Sequence, residues 1–179
     1  MAVALAVRKW TLAELHRLPE DGNKYELIRG ELFATPAPTD EHETILAKLT
    51  RILDPYVAEN GLGYVYHPRA VLQFKGSETE PDLMVRRPHP LRKGRWGTAP
   101  IPILVVEVHS PYTWRRDQRQ KREYYLDAGV AEYWMIDAEE QTVTVIRQGE
   151  ADLVVSDRLT WSPQGASAPL TIDIQALFG

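Results

Sequence analysis

At 179 residues, with 25 acidic and 21 basic side chains, a formal charge of −4 and no cysteine, the chain is sized for one domain built on a sheet with helices. The lack of cysteine excludes disulfides, zinc-thiolate sites and cysteine nucleophiles, and it leaves oxygen and imidazole donors for any metal, which favours magnesium or manganese. No stretch approaches the roughly 20 apolar residues of a membrane span, and Val3 to Val7 is too short for a signal-peptide core, so a cytoplasmic protein with no membrane partner is expected.

Thr11, with Glu14 three residues on and Leu12, Leu15 and Leu18 at helical spacing, predicts a capped helix from Thr11 to Leu18 that Pro19 ends. Lys24 to Thr35 alternates around Arg29-Gly30, the pattern of a hairpin whose turn needs glycine. From Glu41 to Glu59 the apolar residues Ile45, Leu46, Leu49, Ile52, Leu53, Tyr56 and Val57 fall at helical intervals, so a long helix packs on a sheet and stops at Gly61. Leu62 to Phe74 reads as one or two strands interrupted near Pro68, followed by a polar turn at Lys75 to Thr79 and a strand opening at Pro81-Asp82. A basic, proline-rich loop from Arg87 to Pro100, with the length of a flexible flap, leads into the apolar strand that ends at Glu107. Arg115 to Ala128 is a second helix closed by Gly129, and Ala131 to Asp137 pairs with Thr142 to Arg147. The remainder reads as a further strand, a proline-rich loop at Ser162 to Pro169 and a short terminal helix. The order implies an α/β (α+β) sandwich around a mixed sheet, with one domain over 1–179, a core of 24–147 and an extension of 148–179.

Two acids lie at strand ends, Asp82 in Glu80-Pro81-Asp82-Leu83 and Glu107 in Leu104-Val-Val-Glu107-Val-His109. A short β-branched run is a strand covered on both faces, and an ionised carboxylate survives there only if a cation or strong donors compensate it. Alternation puts Ile103, Val105, Glu107 and His109 on one face. On the following helix Asp117, Lys121, Tyr124, Tyr125 and Ala128 form one stripe, which turns Lys121 toward the sheet. Lys121 is the candidate fixed cation for the two acids, with a structural lysine that snorkels past Tyr125 to water or pairs with Asp117 as the plain alternative, and an open position for a divalent ion is expected between the acids. The basic residues are unevenly spread. Arg86 to Arg122 contains ten Lys or Arg against Glu107 and Asp117, so the segment carries +8 and the rest of the chain −12. Such asymmetry steers a polyanion toward a site. Arg92, Lys93, Arg95, Arg115, Arg116 and Arg119 are the expected contacts, with Trp96, Tyr112 and Trp114 available to stack on bases or cover the site; a solvated loop and an exposed helix face are the plain alternatives.

These residues together resemble the PD-(D/E)xK nuclease superfamily, the restriction-endonuclease-like fold. Tyr25-Glu-Leu-Ile-Arg-Gly-Glu-Leu32, His42, Pro81-Asp-Leu83, Val105-Val-Glu-Val-His-Ser-Pro111, Asp117, Lys121, Tyr125 and Gly129-Val-Ala-Glu-Tyr-Trp134 with Asp137 are similar to its Uma-type branch, over about Thr11 to Arg147. The resemblance implies a Mg²⁺- or Mn²⁺-dependent endonuclease acting on nucleic acid, with DNA as the expected substrate and a homodimer as one permitted assembly. It implies Asp82, Glu107 and the Val108 carbonyl as metal ligands and Lys121 as the catalytic lysine, since His109 stands where the superfamily places that lysine. Glu26 is either a further ligand or a hairpin surface charge, and His42 either a site residue or decoration of a helix start. A non-catalytic binding module on the same fold is the first alternative, and a carboxylate-pair glycosidase, with no role for Lys121, a distant one.

Overall fold

The computed structural model describes residues 8–90, 96–109 and 116–179, with only the backbone described for 116–118. Thr11 caps α1 (Leu12–Leu15) through a reciprocal capping box with Glu14. The helix is shorter than its apolar spacing predicts, because Arg17 and Leu18 bond back to Glu14 and Leu15, three residues earlier, and tighten the chain into turns before Pro19.

Strands β1 (Lys24–Ile28) and β2 (Glu31–Thr35) form the expected hairpin, with Ile28 opposite Glu31. The two turn residues, Arg29 (φ 51°) and Gly30 (φ 85°), are both left-handed, as a two-residue turn matching strand twist requires. Arg29 spans from this tip to helix α3 (Arg116–Ala128), donating to Glu123 at 2.7 Å and also to Asp127. Helix α2 (Asp40–Glu59) buries Ile45, Leu46, Leu49, Leu53 and Val57, the stripe its sequence pattern defines.

The 62–74 region forms two strands, β3 (Tyr64–Tyr66) and β4 (Leu72–Phe74), and they enter different sheets. The predicted polar turn at Lys75 to Thr79 is only two residues long: Lys75 and Gly76 have positive φ, and Ser77–Thr79 is strand β5, paired with β4. Alternation explains this, since Ser77 and Thr79 are buried while Glu78 faces outward to Gln73 and His16.

The mixed sheet flanked by helices is present, and the described strands add to it a second sheet built on the hairpin and a two-stranded ribbon. The order β2-β1-β5-β4 makes a four-stranded sheet. The mixed sheet runs β10-β9-β8-β7-β6-β3, with β6 (Leu83–Arg86), β7 (Leu104–His109), β8 (Glu132–Asp137), β9 (Thr142–Ile146) and β10 (Leu153–Val155). Only β7 and β8 are parallel within it, and α3 is their crossover, as a parallel connection demands. The tail forms a separate ribbon, β11 (Arg158–Trp161) with β12 (Leu170–Asp173), and ends in α4 (Gln175–Phe178), so three strands replace the single one expected.

One apolar cluster joins α2 to Leu83, Val85, Leu104, Val106 and Val108, and takes in Trp161, Ile172 and Leu177 from the tail. The other joins Ile28, Leu72, Met84 and Val105 to Tyr124, Tyr125 and Ala128 of α3. The alternation of β7 is therefore as read from the sequence, except that Ile103 precedes the strand and packs on the α2 side. Gly63 shows how closely β3 and β6 approach: at φ 124°, a Cβ there would lie 1.8 Å from the Arg86 carbonyl oxygen.

Candidate active site

Six elements meet where β1 and β6 begin and β7 ends. Lys24 and Glu26, two apart on β1, point to the same side. Asp82 stands just before β6, Glu107 and His109 lie on β7, and the α3 crossover returns over the sheet with Lys121 and Tyr125. His42, in the first turn of α2, and Tyr133 of β8 close the group.

Lys121 is the hub. Its Nζ lies 2.8 Å from Glu26 Oε2 and 3.0 Å from Glu107 Oε1, and its side chain is 8% exposed. Tyr125 donates its hydroxyl to the same Glu107 oxygen. Glu26 is buried, which removes the reading as a hairpin surface charge, and its Oε1 accepts the Glu80 backbone N–H at 2.9 Å. Asp82 holds a second cluster: Oδ1 accepts from Lys24 Nζ at 2.9 Å, while Oδ2 lies 3.0 Å from His42 Nε2 and accepts the Val108 N–H at 3.0 Å. His42 is thus tied to an acid rather than decorating a helix start. Val108, whose carbonyl is an expected ligand, also donates its N–H to Asp82.

Burial dominates the electrostatics. It pushes the Glu107 carboxyl up to about 7, reinforced by Asp82 and Glu26 and opposed by Lys121 and Lys24. For Lys121 burial acts against the charge, but Glu107, Glu26 and Asp82 overturn it and hold the ammonium well above its ordinary range. Burial would also raise Asp82, yet Lys24 and His42 keep it well below the usual carboxylate range. Burial and Lys121 push His109 down to about 4, so its ring is neutral near pH 7; its Nε2 is 3.5 Å from the Tyr133 hydroxyl.

Asp82, Glu107 and Lys121 are therefore brought together from three elements, with Glu26, His42 and His109 around them. Sequence reasoning passed over Lys24, although its position two residues before Glu26 in the same strand was the available signal. The Asp117 side chain lies outside the described residues, as do Arg92, Lys93, Arg95, Tyr112, Trp114, Arg115 and the Arg116 side chain. Arg119 is exposed and pairs with Glu123 at 3.1 Å. Two other parts of the basic segment serve the fold: Arg86 is buried, donates to the Val71 carbonyl and lies under Trp96, and Arg122 pairs with Asp152. Trp96 accordingly packs against Arg86 and Tyr66.

Among the described residues, no group of three or more His, Cys, Asp or Glu stands arranged to ligate a metal ion. The open position expected between Asp82 and Glu107 is instead bordered by ammonium groups, Lys24 on one acid and Lys121 on the other. Three carboxylates face two lysines, an oxygen-rich set with a formal charge of −1 before His42 is counted, and hard oxygen donors of that kind fit Mg²⁺ or Mn²⁺. Also among the described residues, no helix is long and apolar enough to cross a membrane.

Comparison with known proteins agrees with this architecture. A crystal structure of a putative nuclease belonging to DUF820 from Anabaena variabilis ATCC 29413 superposes with a TM-score of 0.77 at 25% identity, over 94% of this chain and 97% of the other. No curated protein matches. The model of the Uma2 family, described as putative restriction endonuclease, matches residues 12–175. Nearly the whole fold built above falls within that match, and the chain belongs to the Uma2 family.

Proposed function

We propose that this chain is a divalent-metal-dependent nuclease that hydrolyses phosphodiester bonds, with DNA as substrate, Mg²⁺ or Mn²⁺ as cofactor and the cytoplasm as its compartment. The observation that carries the reading is the buried Lys121 ammonium held between Glu26 and Glu107 beside Asp82. Burying several charges together is costly, and a buried ion pair is weak evidence for stability. Strongly perturbed groups gathered from separate elements mark a site that does chemistry.

In this reading Asp82, Glu107 and the Val108 carbonyl would hold the ion, with Glu26 as a further candidate ligand. Bound there, a divalent ion supplies Lewis-acid polarisation of the scissile phosphate and acidifies water. Lys121 places a permanent positive charge where negative charge grows on the phosphoryl oxygens, and orients the attacking water. Tyr125 and Glu26 fix the direction of Glu107 and Lys121 through their hydrogen bonds. His109, neutral and backed by Tyr133, shapes the wall of the site.

The test is cleavage of single- and double-stranded DNA and RNA with Mg²⁺ or Mn²⁺, beside Asp82→Ala. Metal-dependent cleavage that disappears in Asp82→Ala supports the proposal; cleavage that survives in Asp82→Ala or ignores chelator overturns it. One observation favours a second reading, a nucleic-acid-binding module on the nuclease fold: each acid is already faced by an ammonium group without metal. An unchanged melting temperature in excess Mg²⁺ and Mn²⁺, with retained nucleic-acid binding, would put that reading first.

A further inference from the structure

Lys24 contributes to the site in a way that neither the nuclease reading nor the family match assigns. Its Nζ is held by two oxygens, Asp82 Oδ1 at 2.9 Å and the Glu80 carbonyl at 3.1 Å. Both acceptor oxygens belong to residues that have other anchors. Glu80 is anchored at the preceding peptide, whose N–H donates to Glu26, and Asp82 is held through Oδ2 by Val108 and His42. If the ammonium withdrew, a pair of hard oxygens would remain, one from a carboxylate and one from a backbone carbonyl.

The two lysines differ in how freely they can leave. Lys121 is 8% exposed and bridges two carboxylates, so its departure would leave both buried acids without their shared cation. The Lys24 side chain is 19% exposed, against 7% for Asp82. It meets one carboxylate, sits at the first residue of β1, and has a flexible stem that lets the head swing to solvent.

We propose that Lys24 is an exchangeable counter-ion for Asp82: its ammonium holds Asp82 Oδ1 at the edge of the position that a divalent ion would take between Asp82 and Glu107, and the ion binds by displacing it. The proposal rests on the metal-dependent reading of the site. On this account the lysine keeps Asp82 neutralised in the metal-free protein and raises the metal concentration at which the site fills. Lys24 is thus a positioning residue that sets metal affinity, whereas Lys121 stays with the site throughout.

The experiment is titration of the full chain with Mn²⁺ by calorimetry, together with melting temperatures with and without Mn²⁺, for the wild type, Lys24→Met and Lys24→Gln. Lys24→Gln keeps a donor for Asp82 while dropping the charge, so it carries the test if Lys24→Met does not fold without metal. Both variants should bind Mn²⁺ tighter than the wild type by about tenfold or more, the factor that corresponds to about 1.4 kcal/mol of relieved competition. Their metal-free melting temperatures should fall and their gain on adding Mn²⁺ should exceed that of the wild type. Wild-type binding with equal or weaker affinity in both variants overturns the counter-ion role and leaves the metal-dependent reading standing. Absence of Mn²⁺ binding in all three overturns that reading and this inference with it.

Discussion

Val108 donates its backbone N–H to Asp82 Oδ2 at 3.0 Å, so the strand that presents Glu107 also orients the other acid from the adjoining residue. The spacing of the two carboxylates is therefore a property of backbone geometry in β7 rather than of two independent side-chain conformations. That gives the cluster the rigidity needed to hold like charges close.

Lys121→Ala should abolish cleavage and also destabilise the fold. It leaves Glu26 and Glu107 buried without their shared cation, and breaking a buried pair costs about 3–5 kcal/mol. The loss should shrink as pH falls, because Glu107, already pushed up to about 7 by burial, takes up a proton. Urea denaturation at pH 5 and pH 8 reads this directly. A variant as stable as the wild type at pH 8 would mean that Glu26 and Glu107 are not held as charges.

His109 gives stability the opposite pH dependence. Burial pushes its pKa from 6.5 to about 4, so between those values the unfolded chain binds the extra proton. The contribution is complete above about 6.5 and falls by up to about 3 kcal/mol as pH drops through 4. Glu107 runs the other way over an overlapping window, so the measurement is the difference between wild type and His109→Gln across pH 4–7. That difference should grow in favour of the wild type with rising pH, and a flat difference would place a charged His109 in the fold. Cleavage by His109→Gln at neutral pH should be reduced far less than by Lys121→Ala.

Tyr125→Phe removes a hydroxyl donor from Glu107 Oε1. A hydrogen bond to a charged group contributes about 1.5–3 kcal/mol, so the variant should be less stable by that order above pH 7 and by less below it. Infrared titration of the Glu107 carboxyl should find its pKa higher than in the wild type. A downward movement would show that Tyr125 does not stabilise the ionised form.

Gly63→Ala tests the fold alone. With φ at 124° and a Cβ 1.8 Å from the Arg86 carbonyl oxygen, alanine must push β3 away from β6. Overpacking typically costs about 1–3 kcal/mol, and a contact with rigid backbone belongs at or beyond the upper end. Thermal melting of the variant should show a fall of several degrees or more, and a change of under one degree would mean that the approach of the two strands is looser than described.

Local patterns carried most of the architecture. The apolar stripe of α2 and the alternation in β7 were legible because their periods differ and their runs are long. Arg29-Gly30 was legible because a two-residue turn needs left-handed backbone. Ser77–Thr79 was not, since a three-residue strand of polar residues has no apolar alternation to reveal it. The tail strands were similarly short, and their burial depends on α2, more than a hundred residues away in sequence. At the site, the convergence of acids and Lys121 followed from strand ends and a helix stripe. Lys24 could be placed on the same strand face as Glu26 from the alternation alone, but its partner could not, since the contact with Asp82 spans 58 residues.

The Arg29 bridge from the hairpin tip to Glu123 and Asp127 of α3 fastens together the two elements that carry Glu26 and Lys121. These exposed ion pairs register the hairpin tip to α3, so Glu26 and Lys121 make up one jaw of the site. Glu107, anchored in the sheet interior, belongs to the opposing jaw. An opening motion would then run along the Lys121–Glu107 contact and spare the Lys121–Glu26 contact, and loosening the bridge at Arg29 would let the two halves of the first jaw slip against each other far from the chemistry.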